Sequence, residues 1–497
     1  MAAFLLVLAT LGQTTSPPIV VGSKAFTESI ILAEVAVLLG EDAGLNMFHQ
    51  SEIGGTQKVW SGLINGEVDV YPEYTGTIRE QIFHGESLPD LEAVRKRLAQ
   101  DGVLMSPDLG FKNNYVIGVS RAAAEKHQLK KISDLARVPE LRFGFSNEFF
   151  EREDGWPSLK QAYGLPQKAA SLDHALAYNS LKAGDLDVVD VYTTDPKISQ
   201  YDIQMLIDDR GHFPVYEAVY LYRADLADRA PEMIAKLQEL AGKIDASTMT
   251  EMNRSVEQLH LSERRAAADY LGQAFGLQIE VTEPSMAARL WRRTLEHMYL
   301  VVVSLGLAIC VAIPLGVLAA RNRVLGQVIV GSAEIIQTIP SLALLILITA
   351  VLVPLGIRSF GPTPTIVALV MYSLLPIIRN TMTALTSIPH AIRESGVVLG
   401  LSGPARMRLI ELPLASPLIL AGIKTTAVIN VGYAALGGLI GAGGYGATIM
   451  SGLRLDSIPL MLEGAIPAAI LALVVKFFFE LLEYLLVPAG LRLRNAS

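Results

Sequence analysis

Residues 393–413, RESGVVLGLSGPARMRLIELP, lie between two apolar runs and are far too polar to cross a bilayer, so the C-terminal half must be arranged around them. Val397, Val398 and Leu399 continue a helix from Ala391, and Gly400 suits the left-handed residue that ends one. Ser402 can cap a second helix, and Pro404 falls in its first turn, where a missing N–H costs little. Pro413 is expected to stop that second helix. Two short helices around a glycine turn, tethered by membrane segments, make a rigid knob through which a soluble partner can transmit force.

The apolar excess of the chain, 51% hydrophobic residues, is concentrated after about residue 295. Five apolar segments can be drawn there, at about 297–320, 327–354, 363–382, 414–438 and 459–487. The second carries Pro340, a break tolerated only where packed protein or a cavity covers the freed backbone groups. Residues 286–497 hold 15 Lys and Arg against 8 Asp and Glu, a net +7, whereas the preceding residues hold 26 against 41, a net −15. An acidic soluble half therefore precedes a basic membrane half. Arg321, Arg323, Arg379, Arg393, Arg406, Arg408, Arg492 and Arg494 fall on one side of the spans, Arg358 and Arg454 on the other. The positive-inside rule makes the first side cytoplasmic and puts the soluble half outside. Arg289, Arg292 and Arg293 oppose that assignment, since they precede the first span on the outer face. Lys424 and the pair Lys476 and Glu480 lie within spans, and the pair is expected to neutralise itself.

Residues 2–12 form an apolar run too short to span and read as the end of a secretory signal, residues 1–16. No Lys or Arg precedes Lys24, so the expected start of that signal is upstream of Met1. Cys310 is the sole cysteine, which rules out an intrachain disulfide or a thiolate metal cluster. His49, His84 and His174 have no metal-ligand spacing and are expected as surface or loop residues. The chain lacks G-x-S-x-G, H-E-x-x-H and G-x4-G-K-[ST], so no catalytic residues, cofactor or P-loop of its own are expected.

Between residues 17 and 285, strand and helix alternate. Strands are expected at 19–22, 68–70, 115–119, 141–145 and 186–192, with helices opening near Thr27 and at Gly54-Gly55-Thr56. That rhythm predicts mostly parallel sheets in an α/β fold of two lobes, with crossovers near 115–120 and 205–215.

Glu394, Gly400, Ile410, Leu412 and Pro413 match the E-A-A-x3-G-x9-I-x-L-P pattern of permease subunits of ATP-binding-cassette importers, with Ser395 and Gly396 in place of the two alanines. The resemblance implies an all-α, type I importer permease of about five spans over 286–497, whose cytoplasmic docking loop, 389–413, engages a separate ATPase. A glycine-rich stretch, GAGGYG at 441–446, is similar to one found in these permeases before the last span. A DNA-reading helix-turn-helix has the same local shape but is excluded by the membrane tethers, so no nucleic acid is expected.

The phrases GSKAFTES, GEVDVYPEYTGT, NNYVIGV, DVYTTDPKI and FPVYEAV resemble the solute-binding proteins for glycine betaine, choline and related osmoprotectants. The likeness covers nearly the whole soluble half and implies the two-lobed fold of periplasmic binding proteins. Position by position, the family's aromatic box falls on Tyr74, Tyr115, Tyr192 and Tyr216, with Tyr71 and Tyr220 as close alternatives. A quaternary ammonium cannot donate a hydrogen bond, so it must be read by π faces, each contributing roughly 0.5–2 kcal/mol when desolvated. The anion clamp implied for a zwitterion falls on Lys24, Arg152 in FFEREDGW, and Thr77. Because choline would leave both clamp cations uncompensated, the pair points to a betaine. The expectation is an importer chain in the bacterial cytoplasmic membrane, binding protein and permease fused, working as a homodimer with a separate ATPase. Choline, carnitine or a histidine betaine are the alternative cargoes. A membrane ligand sensor or an ion-driven transporter are the alternative classes.

Overall fold

In the computed structural model, which describes residues 17–152, 154–172 and 174–487, the chain divides into two compact units between Glu283 and Pro284. The expected signal, 1–16, lies outside the described residues, as do Arg492 and Arg494.

The first unit holds two five-stranded sheets. One is ordered β2-β1-β3-β10-β4, from strands β1 (Ile19–Gly22), β2 (Met47–Gln50), β3 (Val70–Tyr74), β4 (Val103–Met105) and β10 (Ala218–Arg223). The other is ordered β7-β6-β8-β5-β9, from β5 (Tyr115–Ser120), β6 (Phe143–Ser146), β7 (Ala169–Leu172), β8 (Val188–Tyr192) and β9 (Ile203–Met205). The chain therefore changes sheet between β4 and β5 and returns between β9 and β10, as the crossover positions predict. The expectation of mostly parallel sheets is corrected. β1 runs parallel to β2 and β3, and β6 to β7 and β8, but β10 is antiparallel to β3 and β4, and β5 to β8 and β9. The two reversed strands are those the chain enters from the other sheet. Without a helical crossover to carry them back to the starting edge, they run against their neighbours.

Helix α1 (Thr27–Asp42) is buried from Thr27 to Gly40 except at Glu34, which explains a sequence that is apolar on every side. Helix α2 (Ala246–Glu257) packs on it and is capped by Asp245, whose carboxylate accepts from the Thr248 N–H.

The second unit is helical throughout. Its elements are α3 (Met286–Arg321), α4 (Arg323–Thr338), α5 (Ser341–Leu352), α6 (Pro362–Thr386), α7 (His390–Val398), α8 (Leu412–Ala434), α9 (Gly444–Arg454) and α10 (Ile458–Leu486). Among the described residues four helices are long and apolar enough to cross a membrane, or five if the pair α4 and α5 is one broken span. That pair bends by 105° at Pro340, so the break read from the sequence is a sharp corner. Asn430 of α8 ties three helices together, donating to Ser304 Oγ of α3 at 3.3 Å and Ser373 Oγ of α6 at 2.9 Å, with all three residues buried.

The GAGGYG stretch owes its glycines to backbone contact. Gly443 and Gly444 take φ of +79° and +68°, and the Gly444 N–H donates to Glu296 Oε2 at 2.8 Å. A Cβ on Gly446 would stand 1.9 Å from the Ala435 carbonyl oxygen, which no shift of a side chain can relieve. Gly446→Val is expected to cost well over the roughly 1–3 kcal/mol of ordinary overpacking. A detergent-extracted variant should then elute as aggregate in size-exclusion chromatography where the wild type elutes as a single peak.

Charged residues near the spans find partners. Lys424 of α8 reaches Glu483 of α10 at 3.3 Å, while Lys476 and Glu480 are 4.0 Å apart on an exposed face. Arg289 pairs with Glu463 at 3.0 Å and Arg293 with Glu296 at 2.9 Å, with Arg292 3.8 Å from the same Glu296.

Candidate functional site

The antiparallel register of β5 and β8 sets Tyr115 opposite Tyr192, so both rings project from one face, with centroids 4.9 Å apart and hydroxyls 3.2 Å apart. Tyr216, immediately before β10, brings its ring edge-on to Tyr115 at 5.7 Å. Its place depends on Gly76: a Cβ there would lie 2.5 Å from the Tyr216 ring. Tyr74 closes β3, and Phe26 bridges it to the second sheet, 6.4 Å from the Tyr74 ring and 6.5 Å from Tyr192. The four tyrosines thus converge from both sheets, and Phe26 is a fifth ring in the cluster, inside the GSKAFTES phrase. Tyr71 and Tyr220 belong to the core instead: both are fully buried, and Tyr220 donates to the Leu32 carbonyl of α1 at 2.7 Å.

Arg152 is buried beside these rings, its guanidinium 5.0 Å from the Tyr115 centroid and 5.8 Å from that of Tyr216. Its Nε and Nη2 donate to the two oxygens of Asp154 at 2.8 and 2.7 Å, and Tyr216 also donates to Asp154. Burial pushes the Asp154 carboxyl up, but the Arg152 fork outweighs it and holds the group below the usual range. Nη1 is the freest edge of Arg152, 3.7 Å from the half-exposed Glu148. Lys24 is buried too, with Nζ 2.5 Å from Glu73 Oε1 and 5.7 Å from the Tyr74 centroid. Thr77 is buried in the turn that follows β3. Each sequence-derived clamp cation therefore already has a carboxylate partner, Glu73 or Asp154. Choline would therefore not leave two uncompensated cations, contrary to expectation, since folding supplies pairings that the sequence does not reveal.

Two of the histidines expected as surface or loop residues are engaged, His49 in β2 and His174 at the start of a helix. His49 Nδ1 lies 2.6 Å from Glu34 and Nε2 2.9 Å from Ser23 Oγ. His174 is half-buried, its ring 5.0 Å from Tyr192 and its nitrogens 3.7 and 3.8 Å from Asp190 and Asp195. Burial alone would push the imidazole down, but the two aspartates raise it to about 9. A pKa raised on folding stabilises fully below the unfolded value, about 6.5, and the contribution fades as pH rises through about 9. Thermal unfolding of the wild type should show that loss between those limits, and His174→Gln should flatten it.

The segment 389–413 of the second unit, expected to dock an ATPase, folds as two helical pieces. α7 ends at Val398; Gly400 takes φ +75°, and the Leu401 N–H returns to the Gly396 carbonyl at 3.1 Å. Ser402 Oγ accepts from the Ala405 N–H at 3.4 Å, capping the next turn. Pro413 does not stop the second helix, contrary to expectation. A wide π turn, Met407–Glu411, shifts the hydrogen-bond ladder just before Pro413, accommodates its missing N–H and lets helix continue into α8. Helix runs unbroken over Gly403–Ile440. Glu394 is exposed and 3.2 Å from His390, Ile410 sits where a Cβ on Gly396 would meet its side chain at 3.0 Å, and Leu412 packs with the cluster around Leu385. Val398 and Leu399 are 86% and 76% exposed, an apolar tip on an otherwise polar knob.

A two-sheet unit with aromatic rings gathered from both sheets, followed by a unit of membrane-length helices, defines a solute-binding protein continued into a permease. Comparison with known proteins makes the class specific. Residues 17–273 match the family described as the substrate binding domain of ABC-type glycine betaine transport system, and residues 312–490 match the binding-protein-dependent transport system inner membrane component. The chain belongs to the ABC-type glycine betaine transport family, with binding domain and permease in one multi-pass membrane polypeptide. It is 39% identical over 199 residues to the osmoprotectant import permease protein OsmW of Salmonella typhimurium, a match covering 40% of this chain and 92% of the relative. It is 34% identical over 260 residues to the ergothioneine transport permease/ergothioneine binding protein EgtU of Helicobacter pylori, covering 51% of this chain and 47% of that one. A solved glycine betaine/carnitine/choline ABC transporter structure aligns at 26% identity with TM-score 0.46, covering 51% of this chain and 98% of that one. Membership implies a transport role, an ATPase partner and a quaternary-amine ligand.

Proposed function

We propose that the first unit captures a small quaternary-ammonium zwitterion such as glycine betaine outside the cell, and that the second passes it through the membrane when a separate ATPase hydrolyses ATP. The observation that carries this reading is the convergence of Tyr74, Tyr115, Tyr192 and Tyr216 with Phe26, since packed π faces attract a cation that cannot hydrogen-bond. Arg152, through its Nη1 edge, supplies the carboxylate clamp, with Thr77 and Lys24 as its further members. A second reading, choline as cargo, is favoured by one observation: Lys24 and Arg152 both have internal counter-charges.

The outward placement of the binding unit is supported by the basic residues around the docking segment and by the carboxylates that offset Arg289, Arg292 and Arg293 on the opposite side. A homodimer offers two docking segments to two ATPase subunits, each centred on Glu394, Gly400, Ile410, Leu412 and Pro413. The chain itself hydrolyses no ATP in this scheme. Proteoliposomes carrying the chain with and without its candidate ATPase test the proposal: uptake of labelled glycine betaine should require both the ATPase and ATP. Uptake driven by an ion gradient alone, or ligand binding with no uptake under any condition, sinks it in favour of a secondary transporter or a sensor.

A further inference from the structure

Glu28, in the first turn of α1, is 3% exposed, and among the described residues no ion pair joins it. Its two oxygens accept four hydrogen bonds, all from neutral donors. Oε1 accepts from the Tyr74 hydroxyl at 2.6 Å and Asn113 Nδ2 at 2.9 Å; Oε2 accepts from Thr194 Oγ1 at 2.5 Å and Asn253 Nδ2 at 2.9 Å. These donors come from the end of β3, the β4–β5 crossover, the segment after β8, and α2. Four donors on four lone-pair sites is the arrangement that suits a carboxylate; burial pushes this group up, and the four hydrogen bonds oppose that rise without cancelling it.

We infer that Glu28 is a fixed negative charge behind the aromatic cluster, a positioning residue that sets the selectivity of the site for a positively charged nitrogen. The inference rests on the cage reading proposed above. A carboxylate accepting the Tyr74 O–H at 2.6 Å draws electron density toward the phenol oxygen and ring, deepening the negative face that a cation sees. Its charge also adds directly to the negative potential at the ring, where the Lys24 ammonium, 5.7 Å away, is already matched by Glu73. Glu28 does not need to touch the ligand for either effect. Lys24 and Arg152 are matched by Glu73 and Asp154, so neither of these cations is taken up by Glu28.

The test compares each quaternary-ammonium compound with its tert-butyl analogue, in which carbon replaces the nitrogen and shape is kept: glycine betaine with tert-butylacetate, choline with its tert-butyl alcohol. Calorimetry on the full-length chain in detergent gives the affinity ratio within each pair. Wild type should prefer nitrogen; if it prefers neither, the cage reading fails and this inference with it. Given that preference, Glu28→Gln should lower the ratio by at least about fivefold, as loss of a nearby buried charge requires. Equal weakening of both members of a pair, or no change, overturns the role of Glu28 while leaving the cage standing, because a purely structural tie between the lobes cannot distinguish nitrogen from carbon. If Glu28→Gln does not fold, Tyr74→Phe decides: it keeps the ring and the carboxylate but cuts their hydrogen bond, and an unchanged ratio overturns the inference.

Discussion

Gly400→Trp is expected to abolish ATP-driven uptake while leaving ligand affinity unchanged. Gly400 sits at φ +75° between the two helices of the proposed docking segment, with open space where its Cβ would point. A tryptophan meets no clash there, but a non-glycine residue in the left-handed region costs roughly 1–2 kcal/mol, and the turn relaxes by reorienting Val397, Val398 and Leu399. Those three side chains are 57%, 86% and 76% exposed, an apolar tip suited to a pocket on a soluble partner. Moving that tip breaks transmission without disturbing the tyrosine cluster, which belongs to the other unit. Glu394→Lys reverses an exposed charge whose neighbour is His390 and should give the same split. Proteoliposome uptake and calorimetry on the same preparation read both quantities. Uptake at half the wild-type rate or more with Gly400→Trp would show that this segment does not couple to the ATPase.

Arg152→Ala should weaken glycine betaine by far more than Tyr192→Ala does, and the order should reverse for choline. Removing one partner of a desolvated, hydrogen-bonded charge pair costs on the order of 2–5 kcal/mol, against roughly 0.5–2 kcal/mol for one cation–π face. In the proposed cage Tyr192 faces only the cation, so its loss should weaken every trimethylammonium ligand similarly. The Asp154 pairing adds a second consequence. Without Arg152 the buried Asp154 carboxylate loses its counter-charge, and the chain should lose about 3–5 kcal/mol of stability. The double variant Arg152→Ala/Asp154→Ala should recover much of that stability but none of the betaine affinity. If Arg152→Ala leaves betaine within a factor of about three, under roughly 1 kcal/mol, Arg152 serves Asp154 alone and the carboxylate clamp must lie elsewhere.

Much of the architecture was legible because it rests on periodicity and composition. The apolar runs after residue 295, the corner at Pro340, the left-handed Gly400 and the two sheet changes all follow from local chemistry or from strand and helix rhythm. The four tyrosines were legible for a different reason: each lies in a phrase shared with a known family. Direction was not legible for β5 and β10, since the pattern of a strand is the same read either way and only the path between sheets decides it. Pro413 does not end its helix because of a π turn, a tertiary accommodation that no local residue preference announces.

What the sequence by itself determined is the order of parts: an acidic α/β binding unit, a basic helical permease, and a polar knob between membrane segments. Hydrophobic spacing and charge act over a few residues, and those distances are written in the chain. What only the tertiary structure decided is which charges meet. Lys24 and Glu73 are 49 residues apart, Glu28 and Thr194 are 166 apart, and Glu28 and Asn253 are 225 apart. A buried charge takes its meaning from the groups within hydrogen-bond reach, and folding alone brings those groups together.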